Sequence, residues 1–304
     1  MEFVSRDACP GCASPEHTVL AAMPFDRPPL TDLLIDAYGD RLPLDELSHV
    51  RYELYRCSDC GLIYQRHVAD DETSRWFYEQ VVGVSSDETR HRTVARRLLY
   101  SEQIADFLTF RRSPSPPNVL DFGCGHGVWL DVAAALGCTT TATDIGSGLL
   151  AAVGSRGHRT TPPDQIDRSA FDLINAEQVL EHVTRPGEVM ELLAGALRPG
   201  GVLRVGVPDG SRVVASLRSG AWLVPKTDKR SLNPVAPLEH VNCFDHGSLR
   251  RLGTKAGLAT FRYPLRSRLG PDRTVRSIVR SALAPLRTGT GLTMMFRGPS
   301  DDSP

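Results

Sequence analysis

Three sets of residues in the sequence have types and spacings that could do chemistry. Cys9, Cys12, Cys57 and Cys60 make two Cys-x-x-Cys pairs with 44 residues between them. Each pair can offer two thiolates from one tight turn, and four soft ligands arranged tetrahedrally suit zinc. Four thiolates leave no open coordination position, so such a site is structural rather than catalytic. The second set is Asn118-Val119-Leu120-Asp121-Phe122-Gly123-Cys124-Gly125-His126-Gly127, an apolar run that ends in a carboxylate and leads into glycines at alternate positions. Without a Cβ in the way, a ligand can approach such a backbone closely. A dinucleotide fingerprint needs its last glycine at the sixth position from Gly123, where Val128 stands, which disfavours nicotinamide or flavin. The third set is Glu239-His240 together with His182. An imidazole ionises near neutral pH and can serve as a general base.

The elements around these residues must position them. For the cysteines to meet, the stretch between the pairs has to fold back. Tyr52, Leu54 and Tyr55 before the second pair, and Leu62, Ile63 and Tyr64 after it, read as the strands of a hairpin that carries it. A redox pair or unrelated reduced thiols are the alternatives, but a thioredoxin-type motif belongs near a βαβ pattern and neither pair has one. His17, His49 and His67 could each replace a ligand and read more simply as surface histidines. The segment 70–86 contains Trp76-Phe77-Tyr78, a cluster that is either core or, through Tyr78, a cover over a ligand. Val94, Leu98, Leu99, Ile104, Phe107 and Leu108 fall at helical spacing, and Ser113-Pro114-Ser115-Pro116-Pro117 ends that helix.

The glycine run reads as a buried parallel strand, a tight turn and a helix start. A helix from Trp129 to Leu136, closed by Gly137, leads to a β-branched strand, Thr139 to Ile145, with Asp144 at its tip. A carboxylate roughly 20 residues beyond a glycine loop is placed to accept hydrogen bonds from ribose hydroxyls, and Ile145 follows it. A helix over 148–154, a short strand over 158–161 and a strand starting at Phe171 come next. The segment 210–237 is rich in Gly, Pro and Ser and interrupts the alternation; long irregular segments are commonly binding loops. A helix over 248–256, a strand over 258–263, a helix over 274–286 and a closing strand over 291–296 complete the pattern. Arg262, Arg266, Arg268, Arg273, Arg276, Arg280 and Arg287 make this end locally basic.

The chain has 304 residues, 41% apolar and 23% charged, the balance of a globular protein. No apolar run approaches bilayer length and the first residues lack an apolar signal core, which points to the cytoplasm and away from a membrane. A formal net charge of −1 offers phosphate backbones no general attraction, so a nucleic-acid partner is disfavoured. Oligomeric state is left open. Seven cysteines is an odd count, and Cys-x-x-Cys pairs in such a chain suggest metal more than disulfides.

The Asp-Phe-Gly-Cys-Gly-His-Gly loop between strand and helix resembles the cofactor loop of the class I S-adenosylmethionine-dependent methyltransferases. The run Phe171 to Val183, with Leu180-Glu181-His182-Val183, and the run Leu197-Arg198-Pro199-Gly200-Gly201 before a strand ending in Val207-Pro208-Asp209, are similar to later motifs of that family in the right order. The resemblance implies an α/β, Rossmann-like seven-stranded sheet that binds S-adenosyl-L-methionine. Gly123, Gly125 and Gly127 would lie under its methionine part near Asp121 and Phe122, Asp144 at its ribose, and Asp164 at its adenine. Asn175, Ala176 and Glu177 would face its methionine end. Glu-His-x-Asn-x-Phe at 239–244 resembles a subgroup with an N-terminal zinc-binding domain, including deoxysugar C-methyltransferases of natural-product pathways. There the Glu-His pair lies at the acceptor and the histidine can act as base.

Two departures stand out: Pro237 replaces a tyrosine of the sugar enzymes, and their additional C-terminal domain is missing from this chain. The expected division is a zinc-ribbon-like domain over 1–70, a linker and helix over 71–117, and a methyltransferase domain over 118–304 with an acceptor-site insertion at 210–237. The expected activity is methyl transfer to a small-molecule acceptor in secondary-metabolite or sugar-derivative biosynthesis. A zinc-ribbon RNA methyltransferase and a non-catalytic binding module of the same fold are the alternatives.

Overall fold

The computed structural model describes residues 1–82, 93–111, 113–224, 228, 230–264 and 291–299. The helix expected over 274–286 and the arginines from Arg266 to Arg287 lie outside the described residues. The chain separates into two compact units, one made of Met1–Ser86, Gln178–Glu191 and Val207–Ala256, the other of Asp87–Glu177, Leu192–Gly206 and Gly257–Pro304.

The first unit opens with β1 (Phe3–Ser5), β2 (His17–Pro24), α1 (Leu30–Tyr38), β3 (Arg51–Cys57), β4 (Ile63–Gln65), β5 (His67–Ala69) and α2 (Asp71–Trp76). The expected hairpin is present: β3 and β4 run antiparallel, pairing Tyr55 with Tyr64 and Arg56 with Ile63. Leu30, Leu34 and Tyr38 recur every four residues along α1 and are its buried residues, the stripe that an amphipathic helix turns to its core. Asp70 caps α2, its carboxylate accepting from the Thr73 amide at 2.8 Å.

The second unit begins with α3 (Val94–Arg111), β6 (Asn118–Phe122), α4 (Val128–Ala135), β7 (Thr139–Thr143), α5 (Ser147–Gly154), β8 (Arg159–Thr160) and β9 (Phe171–Glu177). Then α6 (Pro186–Ala196) and β10 (Leu197–Pro208) are divided between the units. The first unit resumes with α7 (Val213–Arg218), β11 (Asn242–Cys243) and α8 (His246–Lys255), and the second ends with β12 (Ala259–Phe261) and β13 (Gly291–Arg297).

In the second unit the strand order is β12-β13-β10-β9-β6-β7-β8. β6 pairs in parallel with β7 and β9, β7 with β8, and β9 with β10, while β12 and β13 are antiparallel. This is the mixed seven-stranded sheet that the resemblance implies. Parallel strands covered on both faces must be apolar throughout, and Val119, Leu120, Leu173, Ile174, Val202, Leu203 and Val205 are buried accordingly. The order reverses at β6, and in open α/β sheets ligands bind beyond the carboxyl ends of the strands at such a point.

The helical spacing of Val94 to Leu108 is met by a helix described from Val94 to Arg111, but its apolar stripe is only half used. Ile104 and Phe107 are buried, whereas Val94, Leu98 and Leu99 remain exposed.

In the first unit β2, β3, β4 and β11 form an antiparallel sheet, with β11-β4-β3-β2 as its order. Its core joins Leu34, Tyr52 and Leu54 to Val213, Trp222 and Val235, residues far apart in the sequence. Segment 210–237 therefore contributes core as well as loop.

Candidate functional site

The cysteines meet. Cys9, Cys12, Cys57 and Cys60 place their sulfurs within 4.8 Å of one another. The Cys9–Cys60 and Cys12–Cys57 Sγ atoms lie 3.5 Å apart, too far for disulfides, and all four thiols are free. Sulfurs around one tetrahedral zinc at its usual bond length are about 3.8 Å apart, so the cluster fits that ion closely. Each turn is built locally: the Ala13 amide donates to the Cys9 carbonyl at 2.8 Å, and the Cys60 amide donates to Cys57 Sγ at 3.4 Å. Gly187 approaches the first turn so closely that a Cβ there would meet the Pro10 and Gly11 carbonyls at 3.1 and 3.0 Å. His17, His49 and His67 are not part of the cluster.

Near the carboxyl ends of β6, β7 and β9 the second unit holds most of the residues expected at the cofactor, whereas Asp164 follows β8 and Tyr78 belongs to the first unit. Gly125 has φ +49 and a Cβ added to it would meet nothing within 4 Å, so its backbone borders open space. The Gly125 amide donates to Asp144 Oδ2 at 2.9 Å, and the Gly146 amide donates to Oδ1 at 3.0 Å. Asp144 thus ties the glycine loop to the end of β7, and each of its oxygens keeps further accepting capacity. Ile145 beside it is 66% exposed, an apolar side chain held out to solvent where a flat ring could cover it. Asp164 is exposed in the short 3₁₀ turn Pro163–Gln165.

Asp121 is buried and accepts from Asn175 Nδ2 at 2.7 Å. Burial, with Glu177 and Asp144 adding to it, pushes its carboxyl up to about 7, while Asn175 and Arg204 oppose the rise. Phe122 and Ala176 are buried beside it in the strands. Sequence reasoning missed Arg204. Its Nη1 donates to Asn175 Oδ1 at 2.9 Å and also to Glu177 Oε2. The signal was a lone charge in the apolar run Val202-Leu203-Arg204-Val205. These residues set carboxylates beside an open glycine, an acceptor set that fits a cationic nucleoside with a ribose.

The candidate bases belong to the first unit. His240 Nδ1 lies 2.5 Å from the Asn233 carbonyl, which can only accept, so the proton sits on Nδ1 and Nε2 is the basic nitrogen. His182 Nδ1 is 2.8 Å from the Glu239 carbonyl and 2.6 Å from the Tyr78 hydroxyl. The two imidazole centroids are 4.8 Å apart at 65°. Burial, and then the neighbouring His240, lower His182 to about 4, so it is neutral at pH 7. The Tyr38 hydroxyl, also absent from sequence reasoning, donates to Glu239 Oε1. Burial holds the Tyr38 and Tyr78 hydroxyls well above the usual tyrosine range, so both remain protonated donors.

A family model described as a methyltransferase domain matches residues 90–262, more than half of the 304-residue chain. The chain belongs to the methyltransferase domain family. A ubiquinone biosynthesis O-methyltransferase of a Caulobacter species is 30% identical to this methyltransferase-family chain over 136 residues, 38% of the chain and 54% of the relative. One from Xylella fastidiosa is 27% identical over 200 residues, 59% and 79% respectively. An uncharacterized Synechococcus protein is 36% identical over 103 residues, 29% of this chain and 25% of its own. The chain spans about half the length, or less, of the first curated relatives it matches. Among solved structures, the plantazolicin methyltransferase BpumL with a desmethyl analog and S-adenosylhomocysteine aligns at TM-score 0.52 and 16% identity. That alignment covers 75% of this chain and 95% of BpumL, a likeness of fold. No helix among the described residues is long and apolar enough to cross a membrane.

Proposed function

We propose that the protein is an S-adenosyl-L-methionine-dependent methyltransferase of a small-molecule acceptor. The observation that carries this reading is the gathering of Asp121, Gly125 and Asp144 at the carboxyl ends of β6 and β7 within the mixed seven-stranded sheet. When bound, S-adenosylmethionine supplies a methyl group on a sulfonium. Asp144 accepts from the ribose hydroxyls and Ile145 covers the adenine, with Asp164 at its edge. Gly123, Gly125 and Gly127 admit the methionine part, Phe122 and Ala176 wall it, and Asp121, Asn175 and Glu177 face its charged end.

In the first unit His240 takes the acceptor's proton on Nε2. Glu239, held by Tyr38, supports it, and His182 orients the acceptor through its contact with Tyr78. With its pKa lowered to about 4, His182 is too weak a base for neutral pH, which leaves the proton to His240. The zinc-ribbon-like segment 1–70 and segment 210–237 serve the acceptor, and zinc held by Cys9, Cys12, Cys57 and Cys60 is structural. Natural-product C-methylation, and O-methylation of the kind that the ubiquinone-biosynthesis relatives are named for, both fit His240 in the role of base.

Calorimetric titration with S-adenosylhomocysteine tests the reading. Saturable binding is expected, weakened at least tenfold in Asp144→Ala, which corresponds to about 1.4 kcal/mol. Absence of binding to the wild-type chain sinks it. A non-catalytic module would bind the cofactor yet transfer no tritiated methyl group to any acceptor in a metabolite extract.

A further inference from the structure

We propose that Arg204 is a positioning residue of the cofactor site, setting the orientation and charge of the carboxylates that receive the donor's cationic end; this rests on the cofactor reading above. Arg204 sits in β10 between residues that are wholly buried, Val202, Leu203 and Val205 among them. A guanidinium in that setting is costly to desolvate, and an apolar side chain would pack the strand at least as well. Its bonds account for its presence. One nitrogen, Nη1, reaches the amide oxygen of Asn175 at 2.9 Å and a carboxylate oxygen of Glu177.

The first of these bonds fixes a direction. With its oxygen turned to Arg204, the Asn175 amide must present its NH2 to Asp121, and it does so at 2.7 Å. The second bond holds Glu177 back at the strand end. Its side chain stays 27% exposed while that of Arg204 is 11% exposed, so one face of the carboxylate is paired and the other is open to a ligand. Gly206, one residue pair further along β10, gives independent support. It is opposite Glu177 in the β9–β10 register, and a Cβ added there would strike the Glu177 carboxylate. Two positions of one strand, a cation and a missing side chain, thus serve a single carboxylate.

The groups around Asp121 include Asn175 and Glu177 from β9, Arg204 from β10, Asp144 beyond β7, the Cys124 thiol of the glycine loop, and Tyr100 of α3, whose hydroxyl accepts from Arg96. With Asp121 ionised, the three carboxylates around Arg204 leave surplus negative charge, which suits the ammonium that the methyl donor and S-adenosylhomocysteine share. Asp121 must be ionised to contribute, so affinity rises as pH rises through its titration near 7. Arg204 opposes the upward shift of Asp121, and its removal therefore moves that titration to higher pH.

The experiment is calorimetric titration of the full chain with S-adenosylhomocysteine from pH 6 to 9. Arg204→Gln, Arg204→Lys and Gly206→Ala are compared with the wild type, and thermal unfolding is followed alongside. Expected are a loss of at least tenfold in affinity at pH 7 for Arg204→Gln, a smaller loss for Arg204→Lys, and a loss for Gly206→Ala in which the guanidinium remains. The pH midpoint of binding moves up in Arg204→Gln and stays put in Arg204→Lys, a readout that simple destabilisation does not move. If Arg204→Gln does not fold, the lysine and Gly206→Ala variants decide. Wild-type binding with unchanged affinity and midpoint in the folded variants overturns the inference and spares the cofactor reading. No binding by the wild type overturns the cofactor reading itself.

Discussion

At the scale of single residues, two histidines with similar sequence neighbours come out chemically unlike. His182 and His240 each follow a glutamate, yet burial beside His240 lowers His182 to about 4. A histidine kept neutral in the folded state binds a proton only when the chain unfolds, so stability falls as pH falls from the ordinary value near 6.5 towards 4. The slope approaches 1.4 kcal/mol per pH unit between those values. Urea denaturation at pH 7 and pH 5 is expected to show this loss in the wild type and a smaller one in His182→Asn. An equal loss in both places the pH dependence elsewhere. The residue types were legible in sequence, but their protonation was not, since it depends on which groups are brought around each ring.

At the scale of elements, local chemistry made the supporting frame readable. The β3–β4 hairpin, the strand and turn around Asp121, and the β-branched β7 follow from period, glycine and branching. The start of α8 was missed: the helix expected from 248 begins at His246, because Asp245 accepts from the Ser248 amide at 2.7 Å and Ser248 Oγ accepts from the Asp245 amide at 3.0 Å, a capping box. The cysteine turns belong to this scale, because each depends on a few consecutive residues. If zinc holds them together, a strong chelator should release one ion per chain and lower the first unfolding transition by several degrees, and Cys57→Ser should mimic it. A chain that yields no zinc under denaturing conditions would refute this. What the elements did not announce is the use of α3, whose apolar positions at Val94, Leu98 and Leu99 stay exposed although their spacing matches that of buried Ile104 and Phe107. Spacing defines a face, and only the neighbours decide how much of it is covered.

At the scale of the whole molecule, the compact units do not follow chain order. The first unit draws on 178–191 and 207–256 as well as the N-terminal segment. Its core packs Tyr52 and Leu54 with Trp222, Leu232 and Val235, and the Tyr52 hydroxyl donates to the Val235 carbonyl at 2.7 Å. A fragment that begins at residue 87 would leave these later residues without their partners and expose a large apolar surface. It is expected to aggregate, or to bind a hydrophobic dye strongly, even though the family match lies over 90–262. A monomeric fragment with a sharp melting transition would contradict this.

The sequence by itself determined the strand, turn and helix around the glycine loop, the four-cysteine cluster and the family, because each is written in short spacings of glycine, carboxylate and thiol that local geometry obliges. Only the tertiary structure decided that Arg204 steers Asn175 and Glu177, that Tyr38 holds Glu239 from a point two hundred residues earlier, and that segment 210–237 builds core. Those pairings join residues with no fixed separation, and the free energy that selects them comes from burial and from satisfied polar groups in the folded chain, which no local pattern records.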